Sequence, residues 1–140
     1  VWKYEAGIVG DRKYTLDEIE HEILRKMGEP RIHAAIVCAS VSCPDLSIDA
    51  FNPEILNEQL DAQVRVFLAN SKKGMRLDAN GKKVYLSKVF EWFRDDFDLQ
   101  GGVLKFIQPY VSPKDRRVLS GIGLRIFFMK YNWRVNDSAL

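Results

Sequence analysis

The chain has 140 residues, 46% hydrophobic and 29% charged, the balance of a globular protein rather than a disordered, collagen-like or coiled-coil one. Its length suits one domain around one core, and no apolar run nears the ~20 residues that span a bilayer. Twenty-one Lys and Arg stand interspersed with nineteen Asp and Glu for a net charge of +2, without the one-sided basic excess of a nucleic-acid binder.

Val1 is not Met, and the chain opens on Trp2 and Tyr4 without a polar lead-in. An N-terminal part is therefore expected to be missing, and any signal peptide with it. Ala6 to Tyr14 reads as a hairpin turning at Gly10-Asp11. Thr15 and Glu18 form a capping box that opens a helix. This helix is expected to run to about Met27 and stop at Gly28, with Pro30 just beyond. Arg31 to Ala39 is nearly continuous in apolar character and predicts a central strand covered on both faces.

Ser40 to Phe51 reads as irregular. Asn52-Pro53-Glu54 starts a second helix, which carries Ile55, Leu56, Leu60, Val64, Phe67 and Leu68 and ends near Asn70. Met75 to Leu86 is a second hairpin, turning at Asn80-Gly81. Ser87 caps a third helix over Lys88 to Phe97, broken by Gly101-Gly102, and Val103 to Tyr110 is a short helix. A basic connector around Pro113 to Arg117 leads to Arg125–Val135, a pair of strands or one bent strand. The expected class is α+β, a small antiparallel sheet packed with helices in a single domain over 1–140.

Helix geometry singles out inward-facing polar groups. At ~100° per residue, Leu16, Ile23, Leu24 and Met27 define an apolar stripe, with Glu20 near its middle and Glu18, Glu22 and Arg25 opposite. A carboxylate facing a core is costly unless satisfied, so Glu20 belongs either to a polar site or at the stripe's edge. His21 lies off centre, with Asp17 four residues earlier placed to hold its imidazole; the alternative is a half-exposed surface histidine. In the third helix Asp96 projects among Trp92, Phe93 and Phe97, and Lys88 flanks Trp92.

The densest cluster is the run from Ile32-His33 through Cys38-Ala39-Ser40 to Ser42-Cys43-Pro44. Small residues and a turn at a strand end suit a ligand site, and a thiol there is activated when a neighbour favours thiolate. Side chains alternate along a strand, so His33 and Cys38 should face opposite ways and Cys38 should find its partner in His21. Cys43, past the turn, is free to meet either histidine. Three readings stay open: inert core thiols, a Cys38–Cys43 disulfide, or ligands with His33 and Asp45. The last does not match the paired spacings of structural zinc sites, so no metal is expected, and no motif asks for a cofactor.

Thr15 to Arg25, Arg31-Ile32-His33, Cys38-Ala39-Ser40 and Ser42-Cys43-Pro44, followed by Tyr85 to Phe93, Asp96-Phe97 and Tyr131 to Asn136, resemble the domain of unknown function 547 family, in order and across the chain. Its members usually begin with a further segment carrying an Asn-Xaa-Tyr-Asn-Ala run, absent here. The family is similar in outline to the cysteine-peptidase and transglutaminase-like superfamily, where a Cys nucleophile, a His base and an Asp, Asn or Glu orienting group carry out acyl transfer. The resemblance implies a thiol-dependent hydrolase or acyl transferase acting on peptides or small thiol peptides such as glutathione. Cys38, ahead of Cys43, would be the nucleophile and His21, ahead of His33, the base. Glu20 or Asp96 would orient the base, and Ser40, Ser42, Lys88 and Trp92 would bind substrate. One departure is that the superfamily's nucleophile starts a helix, whereas Cys38 is expected at a strand end. The alternative is an inactive module holding a peptide, a thiol compound or a protein partner, as the family's plant members suggest. Exported bacterial members favour the periplasm.

Overall fold

Two hairpins, one at each side of the chain's long helix in sequence, organise the rest. The computed structural model describes residues 2–80 and 82–137; Val1, the sequence's non-Met start, and Gly81, the second residue of the expected Asn-Gly turn, lie outside the described residues. Strands β1 (Glu5–Val9) and β2 (Arg12–Thr15) pair antiparallel. Their turn has φ of 54° at Gly10 and 62° at Asp11, the doubly positive pattern that matches strand twist. The capping box follows as expected: the Thr15 amide donates to Glu18 Oε2 at 2.9 Å and the Glu18 amide to Thr15 Oγ1 at 3.0 Å. Gly28 stops the helical run in the left-handed conformation, φ 69°.

Between these ends the helix is not an α-helix. Glu18–Leu24 is wound as a π-helix and Arg25–Met27 as a 3₁₀ turn. Bonds that reach five residues back turn the chain less per residue than α-helical ones. The wheel drawn at ~100° therefore loses its phase by Arg25, which is carried from the Glu18 side round to the interior.

The expected strand Arg31–Ala39 is absent. Pro30–Ala34 forms a 3₁₀ helix instead. Glu29 caps it by accepting from the Arg31 amide at 3.0 Å, and Pro30 sits in its first turn, so the proline that bars the previous helix also starts the next. Arg31 is further held by Glu29 and by Asp61 Oδ1 at 2.8 Å. Ile32, His33 and Ala34 are all buried in succession, the pattern of a short helix wedged into a core rather than of an alternating strand.

Helix α1 (Leu56–Ala69) follows the Asn52 cap, whose Oδ1 accepts from the Glu54 amide at 2.9 Å. Strands β3 (Met75–Asp78) and β4 (Lys83–Leu86) form the second hairpin, and β5 (Arg125–Phe128) adds to β4 in parallel. The sheet is thus mixed, not wholly antiparallel, because the helices between β4 and β5 return the chain to run alongside β4. Those helices are α2 (Val89–Trp92), α3 (Arg94–Asp98), α4 (Val103–Ile107) with a 3₁₀ turn to Tyr110, and α5 (Pro113–Leu119). The expected third helix is split at Phe93, φ −107° and ψ 30°. The expected basic connector is α5 itself, capped by Ser112, which accepts from the Asp115 amide. After β5 the chain runs on irregularly to meet Ser40 through a bridge at Val135.

The fold is α+β, two small sheets with several helices. Val64, Phe67 and Leu68 of α1, Val84 and Leu86 of β4, and Phe90, Phe97 and Ile107 form the core. Phe90 and Phe106 flank Phe97 with ring centroids at 5.1 and 4.9 Å, tilted contacts that aromatic quadrupoles favour. That core anchors α2 and α3 and so fixes the floor of the cleft described next.

Candidate active site

A cleft of about 430 Å³ opens between the π-helix, the loop after Ala35, α2 and the segment following β5. Both histidines, both cysteines, Glu20, Ser40 and Trp92 line it. The expected opposition of His33 and Cys38 does not arise, because no strand imposes alternation between them. Trp92, Tyr131 and Trp133 make an aromatic wall, Trp92 stacked on Trp133 at 5.3 Å.

His33 is the buried member of the histidine pair, its side chain 3% exposed. Nε2 lies 2.8 Å from Asp96 Oδ2, and the ring stacks on Phe93 at 4.0 Å. Burial holds the His33 pKa below the usual 6.5, outweighing the pull of Asp96 in the other direction. Asp96 in turn is kept below the usual carboxylate range, first by Arg25 and then by His33. Arg25 grips it with Nε at 2.8 Å and Nη2 at 2.9 Å, the paired geometry that guanidinium offers a carboxylate. An ionised Asp96 can only accept, so the neutral His33 donates from Nε2 and keeps its lone pair on Nδ1. No buried side-chain nitrogen or oxygen among the described residues lacks a partner. Nδ1 bonds no described residue.

His21 is placed differently. Its Nδ1 lies 3.2 Å from Arg25 Nη1 and its Nε2 3.9 Å from Asp17 Oδ1. A guanidinium has only donors, so that contact occupies the Nδ1 lone pair. Asp17 lies beside the other nitrogen, as the spacing predicts, but beyond hydrogen-bond distance, and His21 is left without a free acceptor.

The two sulfurs sit at opposite ends of a tight loop. Ala39 between them has φ 58°, and the Cys43 amide closes a turn onto Ser40 O at 3.0 Å. Cys38 Sγ lies 3.1 Å from Ser40 Oγ and 3.3 Å from Tyr131 OH, and those hydroxyls are 2.8 Å apart. Cys43 is 4% exposed and its Sγ accepts the Cys38 amide at 2.9 Å. Burial raises the Cys38 thiol pKa, but hydrogen bonds from Ser40, Tyr131 and Cys43 outweigh it and bring the thiol below its usual 9.0. Burial pushes Cys43 the other way, up to about 12. Tyr131 is raised too, by burial first and its bond to Cys38 second, so its hydroxyl stays protonated. No hydrogen bond joins either imidazole to either sulfur among the described residues.

The remaining sequence-derived candidates divide. Glu20 and Trp92 line the cleft and Asp96 lies behind His33. Ser42 turns away to accept the Asn132 amide at 2.9 Å, and Lys88 pairs with Glu91 beside the Phe128 ring, outside the cleft. Two residues without an assigned sequence role complete the site, one behind His33 on Asp96 and one in the cleft wall. One is Arg25, which α-helical periodicity puts on the wrong face. The other is Tyr131, within the Tyr131-Asn132-Trp133 run, which carries no local signal linking it to a loop some ninety residues away. No group of three or more His, Cys, Asp or Glu among the described residues converges as metal ligands, and no helix is long and apolar enough to cross a membrane.

Residues 1–68 match the family described as "Protein of unknown function, DUF547". That stretch carries both histidines, both cysteines, Glu20, Ser40 and Ser42, and stops short of Asp96 and Tyr131. No curated protein and no solved structure matches the chain significantly.

Proposed function

We propose that this chain is a thiol-dependent hydrolase or acyl transferase of the cysteine-peptidase and transglutaminase-like kind, acting on peptides or small thiol peptides. The observation that carries the reading is that a hydroxyl-bonded thiol and a neutral, carboxylate-held imidazole share one cleft. Cys38 is the nucleophile and His33, rather than His21, the base, since only His33 has a free lone pair. With substrate or a water bridging the gap, the Cys38 proton passes to His33 Nδ1 and the sulfur attacks the acyl carbon. Catalytic hydrogen bonds are often longer before substrate arrives. Ser40 and Tyr131 then donate to the oxyanion, each such donor being worth ~3 kcal/mol elsewhere. His33 returns the proton to the leaving amine, and water or a second amine resolves the thioester. Asp96 fixes the ring and Arg25 keeps Asp96 ionised. We also propose a periplasmic location, on the resemblance to exported bacterial members alone.

An activated acyl ester tests this. Intact-mass analysis should find one acyl group on Cys38, lost in Cys38→Ser and slowed at least tenfold in His33→Gln, with His21→Gln close to the parent. If acylation is equally fast without His33, the base assignment is wrong. If Cys38 is never acylated, the second reading stands, a binding module. That reading is favoured by the lack of an imidazole–sulfur bond among the described residues and by the exposed Trp133 in the wall.

A further inference from the structure

The second sulfur has no part in that scheme, although it lies against the backbone of the first. Cys43 Sγ sits 2.9 Å from the amide nitrogen of Cys38, which places it against the backbone that carries the other thiol's own Cα. The loop between them is pinned from outside. The Val41 amide donates to Arg134 O at 2.9 Å, the Ser42 amide to Asn132 O at 3.3 Å and the Asn136 amide to Ala39 O at 2.8 Å. The two cysteines therefore sit close together across a short, braced turn, near enough for each thiol to influence the acidity of the other. They also differ in access: both border the cleft, but Cys38 is half-buried and Cys43 buried.

We propose that Cys38 and Cys43 form a redox pair, in which a peroxide entering the cleft oxidises Cys38 and Cys43 resolves it to an intramolecular disulfide that switches the site off. In the first step the Cys38 thiolate attacks one peroxide oxygen and the O–O bond breaks. Cys38 becomes a sulfenic acid and the other oxygen leaves as hydroxide or alkoxide, taking a proton from solvent. In the second step the Cys43 sulfur attacks the sulfenic sulfur, the S–O bond breaks, and the hydroxyl leaves with the Cys43 proton as water. Two sulfurs have then lost one electron each, and the peroxide has gained both. Ser40 and Tyr131, which donate toward Cys38, are placed to stabilise the departing oxygen. The unequal thiols suit unequal roles: the favoured thiolate is the more accessible one, and the buried thiol stays protonated and unattacked until its partner is oxidised.

The regulatory consequence rests on the thiol-dependent reading of the cleft, but the disulfide itself does not. The reduced full chain is treated with a slight molar excess of hydrogen peroxide, then with iodoacetamide under denaturing conditions. The expected product is a monomer lacking two hydrogens, with neither cysteine alkylated, and fully alkylated again after dithiothreitol. Cys43→Ser should instead leave a Cys38 sulfenic acid that dimedone traps. Wild-type chain that keeps two alkylatable thiols, goes to a Cys38 sulfinic acid with Cys43 free, or forms only intermolecular disulfides would overturn the proposal, whether or not the variant folds. A chain that forms the disulfide yet never accepts an acyl group keeps the redox pair and loses only the acyl-transfer reading.

Discussion

At the residue scale, one carboxylate serves a cation and a neutral ring together. Asp96 binds Arg25 through both oxygens and His33 through one, and both partners are mostly buried, 30% and 3% exposed. Asp96→Asn leaves the guanidinium without its counter-ion. The change should lower the unfolding free energy in urea by about 2 kcal/mol, the range of a hydrogen bond to a charged group. Acid should weaken the protein in two stages. His33 is held below its usual 6.5 by burial, so between 6.5 and its folded value the unfolded chain binds a proton that the folded one refuses, and stability falls as pH falls. The slope is bounded by one proton, about 1.4 kcal/mol per pH unit. Asp96 is held below its usual 3.8. Its contribution is complete above that value and is lost as pH drops through the lower folded one. Chemical denaturation between pH 8 and 3 should show both stages, and His33→Gln should remove the earlier one; an unchanged curve in that variant would remove His33 as its origin.

At the element scale, boundaries written in adjacent residues are legible in the sequence and those set by distant packing are not. The Thr15–Glu18 box, the Asn52 cap, the Gly28 stop and both hairpins depend on neighbours a few positions apart, and all appear where expected. The π-helix and the 3₁₀ helix at Pro30 do not follow from pattern alone. Arg25 gains a half-buried carboxylate by the wider winding, and Arg31 gains Glu29 and Asp61 by the tighter one. These long-range bonds outweigh local periodicity, which is why pattern alone turns His33 to the wrong face and gives Arg25 no role. Two glycines separate conformational from steric demands at such boundaries. Gly28 has φ 69° and nothing within 4 Å of the place a Cβ would occupy, so Gly28→Ala should cost only the left-handed penalty, about 1 kcal/mol. A Cβ on Gly74 would lie 1.7 Å from the Phe67 carbonyl oxygen at the end of α1, which cannot yield without moving backbone. Gly74→Ala should cost about 3 kcal/mol or more, and parallel thermal melts rank the two.

At the scale of the whole molecule, the cleft exists because three distant stretches close on one another. The first carries the histidines and cysteines, the second brings Asp96 on α3, and the third brings Tyr131 once β5 has fixed the chain beside β4. The Met129 amide donates to Leu86 O at 2.8 Å, and two residues later the Tyr131 hydroxyl reaches Cys38 and Ser40. Sequence can name the thiols and the acid because each is an unusual residue in an apolar setting. It cannot supply Tyr131, whose role arises only from the parallel β4–β5 pairing, a contact between elements some forty residues apart. If that closure governs the thiol, removing one oxygen atom should be felt at the sulfur. Tyr131→Phe keeps the ring against Trp92 and Trp133 but withdraws a donor from Cys38, leaving Ser40 as its remaining hydroxyl partner. The pH midpoint of Cys38 alkylation by iodoacetamide should move upward, while Cys43, buried and held at about 12, stays unreactive in the folded chain. Stability should change by about 1 kcal/mol or less, since one neutral hydrogen bond is lost at a half-buried site. An unmoved midpoint would mean that Tyr131 is only part of the wall, and that the loop from Cys38 to Cys43 sets the reactivity of its thiol unaided.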